Sequence, residues 1–147
     1  MRKALVLSSV TVHNNFDEIT RLLEHEHRDA ILDGIRRQIH GDLPAELGLK
    51  IYDIEVDLPR TTPLNEATLS VVKQPNGQLV PLNHLFPSND WLDAFVARKW
   101  RGHVFCRGSD AIQRAVGEAA RRILQAEPFN LEIDDLAIDL ALGASPV

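Results

Sequence analysis

The sequence predicts an α+β domain: a small antiparallel or mixed sheet packed against helices, with a helical segment at the amino-terminal end. Three observations point there. Residues 49–58 (LKIYDIEVDL) alternate, with Tyr52, Ile54, Val56 and Leu58 on one side and Asp53, Glu55 and Asp57 on the other. That two-residue repeat is the pattern of a half-buried strand with a wet acidic face. Two other stretches, 15–40 and 110–126, place apolar residues at three- and four-residue steps, the stripe of an amphipathic helix. Pro75-Asn76-Gly77 between two short apolar runs marks a hairpin turn, because Asn and Gly tolerate left-handed backbone angles.

In chain order, residues 4–12 (ALVLSSVTV) are rich in β-branched residues and read as a strand, although RKAL could also close a helix. Asn15, with Glu18 three residues on, has the form of a capping box. The stripe that follows runs through Phe16, Ile19, Leu22, Leu23, Ile31, Ile35 and Ile39. Residues 24–29 are nearly all charged or imidazole, and Gly34 costs a helix roughly 0.5–1 kcal/mol relative to alanine. Two helices with a break fit this pattern as well as one. Gly41, Pro44 and Gly48 then make a linker into the strand at 49–58, on whose apolar face the later elements are expected to pack.

Pro59 and Pro63 lack amide hydrogens, so PRTTP is a loop or a bulged edge. Residues 67–72 and 78–82 form the arms of the hairpin, the second at an edge because of Pro81. Ser88 caps a helix to about Arg98, with Trp91, Leu92, Phe95 and Val96 on one face. Residues 100–106 (WRGHVFC) form a strand, and Ser109 or Asp110 caps a helix to about Ala126. Its stripe is Ile112, Ala115, Val116, Ala119, Ile123 and Leu124, and an Ile123→Asp change is expected to unfold the domain. Glu127-Pro128 stops that helix. Residues 131–142 are amphipathic at either period and form a docking helix or strand, and 144–147 are a frayed end. The whole reads as one domain over 1–147: a mostly helical 1–45, a core at 49–126 and a docking segment at 127–147.

The chain has 147 residues, net charge −5, and one cysteine, Cys106. Phosphate backbones attract clustered basic residues, so the acidic balance argues against a nucleic-acid partner. A single cysteine excludes an internal disulfide and fits a reducing compartment. No apolar run approaches a membrane span, and Ser8 and Ser9 break the opening run before it could act as a signal peptide. The expectation is a cytoplasmic protein without a membrane partner.

Candidate chemistry is sparse. His25 and Asp29 lie four apart and would share a helix face, as metal ligands can, yet no HExxH supplies a second histidine, and a charged helix surface is the favoured reading of the run. Asp53, Glu55 and Asp57 would form a carboxylate ladder able to hold a hard cation, or simply an acidic stripe that discourages edge pairing. Cys106 precedes Arg107-Gly108-Ser109 and a helix, a strand–loop–helix junction where free amides and the helix dipole favour phosphate. Arg107, Ser109 and, in the proline-flanked loop, Arg60 are the candidate phosphate contacts. The sixth residue after Cys106 is Ile112, which excludes a Cys-x5-Arg phosphatase loop, so Cys106 reads as a buried structural thiol. There is no Walker loop, dinucleotide fingerprint or Cys-x-x-Cys.

The succession from IYDIEVDL, through a loop carrying Pro63-Leu64 and ATLSVVKQPNGQLVPLNHL, to WRGHVFCRGSDAIQRAVGEAARRIL resembles the C-terminal part of HD-superfamily phosphohydrolases, the group that includes deoxynucleoside triphosphate triphosphohydrolases. The likeness covers about half the chain. That family's metal site depends on a His-Asp pair, and no His-Asp dipeptide occurs here: the six histidines precede Asn14, Glu26, Arg28, Gly41, Leu85 and Val104. The resemblance therefore implies an excised or split C-terminal region with no catalytic residue and no cofactor of its own. The divalent metal would belong to a catalytic partner region. It further implies oligomer or HD-region contacts and, in some members, regulatory nucleotide binding, with Arg107 at the basic position after the strand. The competing expectations are a free-standing small-molecule or protein-binding module that forms a homo-oligomer, and a small metal-dependent hydrolase using His25–Asp29 or the acidic strand.

Overall fold

The computed structural model describes residues 1–8, 10–12, 23–24, 26–60, 71–81 and 99–143. The expected cap at Asn15, the loop and strand residues 61–70, the helix at 89–98 and the tail at 144–147 lie outside the described residues. Within them the chain is an α+β fold. Strand β1 is Arg2–Leu7, helix α1 Arg28–Asp42, β2 Ile54–Asp57, β3 Val71–Lys73, β4 Leu79–Pro81, β5 Gly102–Cys106, α2 Asp110–Gln125 and α3 Leu136–Ala141. One sheet has the order β1-β5-β2 with both pairings antiparallel, and β3 and β4 form a separate hairpin.

The organising strand is β5 rather than the 49–58 stretch. On β5, Gly102, Val104 and Cys106 are buried while His103 and Phe105 are half-exposed. Val104 pairs with both Leu5 of β1 and Val56 of β2, so the central position of the sheet falls to the later strand. The expected strand at 49–58 is shortened at its start. Ile51–Asp53 is a 3-10 turn, closed by the Asp53 amide donating to the Lys50 carbonyl (2.9 Å) and the Lys50 amide donating to the Asp53 carboxylate (2.9 Å). A local side-chain bond of this kind competes with ladder pairing. Tyr52, expected on the apolar face, is instead 76% exposed, with the Arg36 guanidinium 5.8 Å from its ring centre. Ile54 and Leu58 do enter the core, and Val56 packs against it.

β1 begins at Arg2, so RKAL is strand and not a helix end. Its register slips between Lys3 and Leu5, and this bulge lets Ala4 and Leu5 both be buried. The strand ends in a side-chain turn. The Ser8 amide donates to the Thr11 hydroxyl (2.8 Å), whose own proton reaches the Val6 or Ser8 carbonyl, so two buried polar residues satisfy one another.

The helices pack on the sheet with α2 across β1 and β5, α1 against β2 and α2, and α3 against β1. α1 buries Ile35 and Ile39. α2 starts where the sequence places it: the Ser109 hydroxyl accepts from the Ile112 amide (3.4 Å), an N-cap. Its buried face is Gln113, Val116, Gly117, Ala119, Ala120 and Leu124, whereas Ile112 and Ile123 are only partly buried. The stripe is thus rotated from the one expected, and the deepest side chains are Val116 and Leu124, worth about 1.5–3 kcal/mol each. The rotation has a cause on β1. Gly117 sits against the Ala4 backbone carbonyl, where a Cβ has no room, and the Gln113 amide donates to the Lys3 and Ala141 carbonyls.

The carboxyl-terminal segment takes the helical form of its two expected ones, preceded by a single isolated bridge rather than a strand. Ile133 bridges Val12 antiparallel to it, and α3 follows with Ala137 and Ile138 buried. The hairpin turn departs in detail from expectation. Gly77 alone takes a left-handed φ, +81°, while Asn76 accepts the Gln78 amide through its side chain (2.9 Å). The Gly77 amide donates to the Gln74 carbonyl (2.8 Å), closing the turn.

Candidate functional site

The Arg107–Ser109 turn joins the end of β5 to the start of α2, and its backbone is held from three sides. The Arg107 amide donates to the Asp53 carbonyl (2.9 Å), which ties the turn to the segment leading into β2. The Ser109 hydroxyl caps α2. Gly108 has φ +130°, a left-handed value that a side chain resists, and a Cβ there would lie 2.7 Å from Ile112 Cδ1. The Arg107 side chain itself is exposed.

Pairing adds a residue that sequence inspection missed. Arg2 lies opposite Cys106 in the β1–β5 register and forms an ion pair with Asp110 in the first turn of α2. Arg2 therefore reaches the start of α2 from the neighbouring strand, where its charge is taken up by Asp110, while Arg107 stands exposed in the turn itself. The α2 amino terminus adds its partial positive charge to this corner. The Asp110–Arg2 pair is exposed on both sides and contributes little to stability. Nothing in the opening residues alone marks Arg2; only the long-range register brings it to the end of β5.

Cys106 is fully buried, and burial pushes its thiol above the usual cysteine range, as for a packed structural side chain. Arg60 is exposed at the far end of the segment after Leu58. No described contact brings it to the Arg107 turn.

Among the described residues the metal candidates do not assemble. His25 lies outside the described residues. Asp29 is exposed in the first turn of α1 and accepts from Arg28 Nη1 (3.3 Å). The three-carboxylate ladder is absent: Asp53 has left the strand for the 3-10 turn and its carboxylate holds the Lys50 amide, while Glu55 and Asp57 alone share the exposed face of β2. No group of three or more His, Cys, Asp or Glu suited to a metal ion occurs among the described residues.

Two shallow concavities flank α1. One, about 250 Å³, lies between α1 and β2 and is lined by Asp29, Leu32, Asp33, Arg36, Glu55 and Val56. Within it Asp33 accepts from Arg37 Nε (2.6 Å) and from Arg36, and these two guanidinium groups, Arg37 foremost, hold its carboxyl below the usual aspartate range. The other, about 330 Å³, sits at the end of α1 between His40, Leu43, Pro44 and Leu49, with His40 Nε2 bonded to the Leu49 carbonyl (2.8 Å). Neither presents a set of convergent groups for bond cleavage.

On the outer face of the sheet, His103 and Phe105 stack with ring centres 5.3 Å apart and planes at 25°. Across the ladders, His103 faces Val6 and Asp57, and Phe105 faces Lys3 and Glu55. Burial, then the charge of Lys3, holds the His103 imidazole below its ordinary pKa, with Asp57 opposing.

No helix among the described residues is long and apolar enough to cross a membrane. No family model matches the chain, and comparison with curated proteins and with solved structures yields no match.

Proposed function

We propose that this chain is a non-catalytic accessory region of an HD-type metal-dependent phosphohydrolase. It acts in the cytoplasm, through packing or oligomer contacts and a regulatory nucleotide contact. The observation that carries the nucleotide contact is the Arg107–Ser109 turn. Its exposed guanidinium stands on a backbone fixed by the Asp53 carbonyl, at a capped helix start where Arg2 pairs with Asp110. A phosphate group entering there would meet the Arg107 guanidinium and the dipole end of α2, and could compete with Asp110 for Arg2, the kind of groups by which proteins hold phosphate without covalent chemistry. The divalent metal and the His-Asp pair would belong to the catalytic region, and no residue of this chain takes part in bond cleavage.

Thermal melting in the presence of deoxynucleoside triphosphates tests the contact. A nucleotide at a hundredfold excess over its Kd stabilises by about 2.7 kcal/mol. That gain is expected to vanish in Arg107→Ala and to weaken in Arg2→Ala. Arg107→Ala leaves the amide bond to Asp53 in place, so the ligand-free melting temperature should hold. Absence of any shift with every nucleotide would defeat the proposal. Hydrolysis of a deoxynucleoside triphosphate by the chain alone with added divalent metal, lost on changing His25, would overturn the non-catalytic assignment.

A further inference from the structure

We draw no further inference here: the strongest candidate, the β3–β4 hairpin with Val71, Val72 and Leu79 exposed on its surface, is an unpartnered apolar patch, and nothing in the structure shows what covers it.

Discussion

Adding one methyl group to each of two helical glycines should move stability in opposite directions. Gly34 in α1 and Gly117 in α2 are both interior helical positions, where glycine is less favourable than alanine by about 1 kcal/mol. Around Gly34 a Cβ meets nothing within 4 Å, so Gly34→Ala should realise that gain, roughly 0.5–1 kcal/mol. Around Gly117 a Cβ collides with the Ala4 carbonyl oxygen and lies 3.1 Å from its carbon and 3.5 Å from Ile138 Cγ1. The obstacle is backbone within a paired strand, which cannot rotate aside as a side chain can. Overpacking of this kind costs about 1–3 kcal/mol, and here α2 must also lift from β1, straining the Gln113 bonds to Lys3 and Ala141. The net expectation for Gly117→Ala is a loss of about 1–2 kcal/mol. At this chain length 1 kcal/mol corresponds to about 4 °C in melting temperature. Urea titration and calorimetry of the two variants beside the wild type give the answer. A Gly117→Ala protein as stable as the Gly34→Ala protein would refute the close approach of α2 to β1.

Other perturbations probe separate links. Gln113→Leu keeps the bulk but leaves the Lys3 and Ala141 carbonyls without their donor, and should cost about 1–3 kcal/mol by urea denaturation; a change below about 0.5 kcal/mol would contradict the buried contact. Leu124→Asp, at a fully buried site, should prevent folding, whereas Ile123→Asp, at a partly buried one, should leave a folded protein of lower melting temperature; circular dichroism separates the two outcomes. The depressed pKa of His103 means that the unfolded chain binds its proton first as pH falls. Its contribution to stability is therefore complete above about pH 6.5, the unfolded value, and is lost as pH drops from there to the folded pKa. His103→Gln should flatten that part of the stability–pH curve, and an unchanged slope would show that other groups set it.

Local chemistry was enough for the elements whose determinants lie within a few residues. The Ser109 cap, the helix to Gln125, the turn at Gly77 and the strand ending in Cys106 all rest on neighbours along the chain, and each was legible. The strand at 49–58 was legible only in its second half, because the competing bond from Lys50 to the Asp53 carboxylate is itself a local option that an alternating pattern conceals. For the candidate site, Arg107 and Ser109 could be named because the junction is contiguous, but Arg2 could not. It arrives from more than a hundred residues away through the β1–β5 register.

From the sequence alone came the α+β class, the apolar side of β2 at Ile54, Val56 and Leu58, the strand ending in Cys106, the helix start at Ser109 and a chain without a His-Asp pair. Tertiary structure alone decided which strand is central, which face of α2 turns inward, and that Arg2 pairs with Asp110 beside the end of β5. The physical reason is that periodicity states only that a face is apolar. Which partner covers that face depends on where two distant backbones can approach, and here that is settled by the missing side chain of Gly117 against Ala4 and by the bulge that buries Ala4 beside Leu5.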